Sequence, residues 1–177
     1  PHIRPSRDAA HVHGRDGYGD VDLPPPSRQA EAEHAALAIL RLSHQYAGEL
    51  MLVMLGPLTN LALALKLDPT LPERIKRIVV MGGAVTCHGN ITPAAEFNIY
   101  VDPEAAAVML DSGIPVTLLP LDVTHQVLTT AERLGQMKRL GTRCGTTVAA
   151  LLGFSERCDL EKYGWAGAPL HDPTVIA

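Results

Sequence analysis

Aromatic side chains are scarce, only 4% of 177 residues, which argues against a sandwich of sheets and for helices packed on a sheet through alanine and leucine. Basic excess is also missing, since the formal charge is −4. Neither nucleic acid nor an anionic membrane is therefore an expected partner. The three cysteines, Cys87, Cys144 and Cys158, show no pairing pattern and no zinc spacing, which favours free thiols in a reducing compartment, the cytoplasm. No apolar run reaches the roughly 20 residues of a spanning helix. The chain starts at Pro1 without a methionine and stops at Ala177, just after Asp172-Pro173 opens a helix. The expectation is an internal piece of a longer protein, with any targeting segment upstream.

What is present is a chain that is 46% hydrophobic and long enough for one core. Residues 1–26 hold three of the eight histidines, several glycines and Pro24-Pro25-Pro26, so a loop-rich opening segment is expected. Within it His11-Val12-His13-Gly14 reads either as a metal pair or as surface loop. Ser27 is placed to cap a helix over about residues 28–46, with Leu37 and Leu40 on its apolar face. Glu49 to Leu55 is a short apolar run, the pattern of a strand buried on both faces. Gly56-Pro57 ends it, and a helix over 58–67 follows.

Ile75 to Met81 is a second such strand, and Gly82-Gly83 terminates it. Asp102-Pro103 opens a helix that Gly113 closes. Val116 to Leu119 is the third strand, leading into Leu121-Asp122-Val123-Thr124-His125. Thr129 and Glu132 have capping-box spacing before a helix over 130–140, and a further helix over about 146–157 precedes a loop over 162–169. Strand and helix thus alternate three times, which predicts an α/β fold, a mostly parallel sheet flanked by helices, in a single domain.

Between the second strand and the Asp102 helix lies Gly89-Asn90-Ile91-Thr92-Pro93-Ala94-Ala95-Glu96-Phe97-Asn98. Asn90, Glu96 and Asn98 form an inventory of donors and acceptors suited to a polyhydroxylated ligand. The same residue types also cap and turn backbone. Ligands of open parallel sheets bind beyond the carboxyl ends of the strands. The Leu55 to Asn60 turn, the 82–98 loop and the Asp122 to His125 turn all fall on that edge of the expected sheet. His171-Asp172-Pro173 is the remaining candidate: a histidine can move a proton near neutral pH, and Asp172 can bind a hard cation while also serving as an N-cap.

Taken together, His13-Gly14 with Asp16-Gly17, Leu55-Gly56-Pro57-Leu58-Thr59-Asn60, Met81-Gly82-Gly83, Gly89 to Asp102, Leu121 to His125 and His171-Asp172-Pro173 resemble the inosine-uridine preferring nucleoside hydrolases, from about His11 to Ala177. The resemblance implies a doubly wound α/β fold with calcium beside a ribose pocket, and hydrolysis of the N-glycosidic bond of a small-molecule nucleoside in catabolism or salvage. It implies that Asn90, Glu96 and Asn98 hold ribose hydroxyls. Met81, Phe97 and His13 would line the pocket, with Phe97 a packing residue as well. Asp172 would ligate calcium by its carboxylate and Leu55 by its backbone carbonyl, and His171 would protonate the leaving base. Tyr163 and Trp165 are placed to stack on that base or to belong to a surface loop.

The family's opening motif, Asp-x-Asp followed by Asp-Asp, which brings most calcium ligands and the general base, has no counterpart here. Asp20 with Asp22, and Asp8 with Asp16, stand in another context. The chain alone is therefore expected to be inactive, with an incomplete calcium site and with apolar area on its sheet that favours self-association. A non-catalytic nucleoside- or sugar-binding domain of the same fold is the alternative.

Overall fold

The computed structural model describes residues 8–177, apart from the side chains of His11 and of residues 155–163. By contact the chain divides into two compact units. One comprises Gln29–Val123 with His171–Ala177, and the other Thr124–Leu170 with the described part of Arg7–Arg28.

The first unit is the parallel α/β arrangement that the alternation predicts. After α2 (Ala35–Gln45) come β1 (Leu50–Met54), α3 (Thr59–Leu67), a 3-10 turn (Leu71–Arg74), β2 (Ile75–Met81), α4 (Phe97–Val101), α5 (Pro103–Leu110) and β3 (Val116–Leu119). The strands pair in the order β1-β2-β3. Both pairings are parallel, with Met54 opposite Val80 and Met81 opposite Leu119, so the carboxyl ends of all three strands share one edge. Leu58, Leu61, Leu71, Ile78, Val80 and Met109 are fully buried in the core between sheet and helices. Each such side chain contributes about 1.5–3 kcal/mol relative to exposure.

Two expectations change here. The helix placed over 28–46 begins only at Ala35, capped by His34, whose Nδ1 accepts from the Ala36 N–H at 3.1 Å. Residues 28–34 are exposed, so nothing apolar repays ordering them as a helix. β1 is not buried on both faces: Met51 and Val53 stay 54% and 40% exposed while Leu50, Leu52 and Met54 pack on the core. A continuous apolar run cannot reveal which of its faces finds a partner.

The second unit holds α1 (Ala10–His13), the antiparallel pair β4 (Leu128–Thr130) with β5 (Gly167–Pro169), α7 (Ala131–Arg139) and α8 (Arg143–Tyr163). A four-residue helix thus interrupts the loop expected before Pro26, and β5 takes the end of the loop expected over 162–169. The helix cap before α7 is Thr130, which accepts from the Arg133 N–H at 3.4 Å. Thr129, the residue expected to cap, is instead buried in β4. One position of strand register moves a side chain from the cap to the opposite face. Between β3 and β4, α6 covers Leu121–Thr124, and α9 (His171–Ile176) closes the described chain and packs on β2. Among the described residues, no helix is long and apolar enough to cross a membrane.

Candidate functional site

The loop from Gly82 to Glu96 leaves β2 at the carboxyl edge of the sheet and returns as α4. Gly89 makes its tightest contact: a Cβ there would lie 2.1 Å from the Ala95 carbonyl oxygen. Only glycine permits so close a backbone approach. Gly89 N–H donates to Pro93 O at 3.0 Å, and Ile91 N–H to Ala95 O at 3.3 Å, which folds the segment back on itself. Asn90 then accepts the Phe97 N–H on its Oδ1 at 2.9 Å. That bond ties the middle of the loop to the first turn of α4.

Glu96 is the N-cap of α4 and is 2% exposed. Its Oε1 accepts from the Asn98 N–H at 2.9 Å, and its Oε2 from Gly83 at 3.0 Å and Ile99 at 3.3 Å. Burial pushes its carboxyl up, the three N–H groups oppose that shift, and the charge of Asp172 adds to it. A carboxylate kept out of water costs stability. Such perturbed groups gather where they are used.

Asn98 is also buried, and its Nδ2 donates to the Met81 carbonyl at 3.1 Å, with the Met81 sulfur 3.4 Å away. The nitrogen is thereby oriented, and the amide oxygen is an acceptor by its chemistry. Met81 itself is 2% exposed at the end of β2. The structure thus brings Met81, Asn90, Glu96, Phe97 and Asn98 together on one loop and strand end. The reading of these residues as caps and turns holds for Asn90 and Glu96, whose side chains accept backbone N–H groups.

Asp172 and His171 open α9, with His171 half-buried and Asp172 exposed. Leu55 follows β1 at the same sheet edge as Met81 and is 39% exposed. His13 belongs to the second unit, as the exposed last residue of α1. There too, Trp165 stands edge-on to His125, their ring centroids 4.7 Å apart. The side chain of Tyr163 lies outside the described residues.

Three residues gain roles that their motifs did not announce. Thr59 donates its hydroxyl to Asp102 Oδ2, and Asp102 Oδ1 accepts the Ala105 N–H at 3.1 Å. Asp102 therefore ends α4, caps α5 and reaches α3 at once. Asp122 accepts the N–H groups of Val85 and Thr86 at 2.8 Å each and that of Cys87 at 3.1 Å, together with the Thr86 hydroxyl. The Asp-Pro and Leu-Asp-Val-Thr strings were visible in the sequence. Their long-range partners, Thr59 for Asp102 and residues 85–87 for Asp122, lie 35 to 43 residues away in sequence and were not.

Calcium takes six to eight oxygens. The chain offers the carboxylate of Asp172 and the carbonyl of Leu55, and among the described residues no three His, Cys, Asp or Glu side chains form a group that could hold a metal. These residues do not by themselves fit a calcium ion.

The model of the family described as inosine-uridine preferring nucleoside hydrolase matches residues 1–177. An uncharacterised protein of Schizosaccharomyces pombe is 48% identical over 99% of this chain and 57% of its own length. A pyrimidine-specific ribonucleoside hydrolase of Escherichia coli is 39% identical over 99% of the chain and 56% of its own length. Among solved structures, the purine-preferring ribonucleoside hydrolase from Gardnerella vaginalis superposes with a TM-score of 0.93 at 38% identity, covering 98% of this chain and 57% of that one. The chain spans a little over half the length of the relatives it matches.

Proposed function

The chain belongs to the inosine-uridine preferring nucleoside hydrolase family, and we propose that the whole protein hydrolyses the N-glycosidic bond of ribonucleosides, releasing free base and ribose. The observation that carries this reading is the buried Glu96 carboxylate beside Asn98 at the carboxyl edge of the sheet. Breaking a ribosyl C–N bond builds positive charge on the sugar ring. A carboxylate held by fixed N–H donors in a water-poor site stabilises such charge without having to reorganise.

In this reading Glu96, Asn98 and Asn90 take the ribose hydroxyls, Met81 and Phe97 border the sugar, and His171 donates a proton to the departing base, with His13 a weaker pocket candidate. Calcium is the family's expected cofactor. Asp172 and the Leu55 carbonyl would belong to its ligands, but two oxygens do not complete its shell. Described cysteines Cys87 and Cys144 are free thiols, which suits a cytoplasmic role in nucleoside salvage.

The test is release of reducing sugar from inosine, uridine and cytidine by the full-length protein, before and after chelation of divalent cations. Release that chelation removes is the expected result. Binding of these nucleosides without any release would replace the hydrolase by a non-catalytic nucleoside-binding domain.

A further inference from the structure

Resting on that reading of Glu96, the geometry points to Asp122 as a positioning residue that holds the Glu96 carboxylate in place through the backbone of Gly83. Glu96 Oε2 depends on the Gly83 N–H at 3.0 Å. Nothing about a strand end guarantees that this N–H faces the carboxylate. Gly83 adopts φ +86, a region that glycine reaches as readily as negative φ, so its own sterics do not fix the direction of this N–H and the neighbouring turns must.

The far side of the same residue is held by the turn that bears Asp122. The Gly83 carbonyl accepts the Leu121 N–H at 2.9 Å. Two residues further on, the N–H groups of Val85, Thr86 and Cys87 and the Thr86 hydroxyl converge on the Asp122 carboxylate. Three successive backbone N–H groups aimed at one point form an anion-binding concavity. Here the anion is a side chain of the same fold. The Thr86 hydroxyl, with the backbone N–H donors, holds the Asp122 carboxyl well below the usual carboxylate range.

Leu121 and Asp122 lie on one short helix, α6, so the loop is clamped at residue 83 and at residues 85–87 by a single rigid element. Glu96 is clamped in turn by residue 83 and by its own helix. Releasing the second clamp leaves Gly83 held by the Leu121 bond alone, about which its N–H can turn away from the carboxylate. Glu96 then keeps only the Asn98 and Ile99 donors and loses the contact that fixes it across the loop.

The experiment uses the full-length protein and four variants: Asp122→Asn, Thr86→Val, Glu96→Gln, and the double variant Asp122→Asn with Glu96→Gln. Asparagine keeps the shape of Asp122 but turns one acceptor into a donor facing N–H groups. Turnover is read with an activated aryl riboside, whose good leaving group keeps slow variants measurable, and thermal unfolding is recorded beside it. Asp122→Asn should lower kcat about tenfold or more, with a smaller change in KM, as removal of a supporting contact does. Thr86→Val, which removes one partner of Asp122, should act in the same direction by about threefold and covers the case in which Asp122→Asn fails to fold.

Residues that act as a unit are not additive. In the Glu96→Gln background, Asp122→Asn should therefore cost less than about threefold. Multiplicative losses in the double variant would overturn the inference, as would unchanged turnover in Asp122→Asn or, if that variant does not fold, in Thr86→Val. A lowered melting temperature with unchanged kcat would reduce Asp122 to a structural role and overturn it as well. If Glu96→Gln alone leaves turnover intact, the reading of the Glu96 site fails first, and separately.

Discussion

Glu96 and Asp68 each accept several hydrogen bonds, yet their carboxyls shift in opposite directions. Asp68 accepts the Thr70 N–H at 2.9 Å and the Thr70 hydroxyl at 2.6 Å, and meets Arg74 Nη2 at 2.5 Å. Its pKa falls to about 2, with the Thr70 hydroxyl the largest cause. Glu96 accepts three backbone N–H groups, yet its carboxyl is pushed up, because burial outweighs them. One carboxylate keeps water and gains an arginine; the other gives up its water. Hydrogen bonding to an anion lowers its pKa only when desolvation does not exceed it. The fold accepts the cost of desolvation at residue 96 and avoids it at residue 68, where the carboxylate is a local staple.

That contrast can be broken by activity. Glu96→Gln should reduce turnover of the full-length protein by about a hundredfold, a loss typical of a group that stabilises developing charge, whereas Asp68→Asn should leave turnover unchanged. Equal losses measured by ribose release would erase the distinction. Asn98→Ala comes next: with its hydroxyl acceptor gone, kcat/KM should fall by roughly tenfold or more while the melting temperature moves by only a few degrees. A large drop in melting temperature with normal kcat/KM would return Asn98 to a purely structural role.

Asp102 sharpens the comparison from the structural side, since it is buried like Glu96 but bonded like a staple, to Thr59 and the Ala105 N–H. Asp102→Ala should cost about 1–2 kcal/mol in urea unfolding, the usual worth of a helix cap. The smallest effect is at Asp68. Its folded pKa lies below the unfolded one, so its contribution to stability is present above about pH 4 and disappears as pH falls through about 2. The gap in melting temperature between the parent and Asp68→Asn should close over that window, and a gap independent of pH would contradict the assignment.

Much of the first unit was legible because punctuation and apolar runs coincide. Gly56-Pro57, Gly82-Gly83 and Asp102-Pro103 bound the strands and helices where the structure has them, and Ile75–Met81 is the strand that its β-branched run suggests. The helix at Phe97–Val101 was not legible: five residues carry too little periodicity, and its cap, Glu96, reads equally well as a ligand-binding acid. The start of α2 was misplaced because Ser27 offers a good cap to residues that nothing buries. The candidate site was legible as a set of residue types on one sheet edge, but the contacts around it, from Gly83 to Glu96 and Leu121 and from residues 85–87 to Asp122, join segments distant along the chain.

The sequence by itself determined the alternation of strands and helices, the edge on which the polar loop falls and the family to which its motifs belong, since all three depend on local residue types and their order. Only the tertiary structure decided that Glu96 is desolvated, that Gly83 and Asp122 stand behind it and that β1 leaves one face open. Those outcomes depend on which surfaces meet and which lose their water, and contacts between distant segments set that balance.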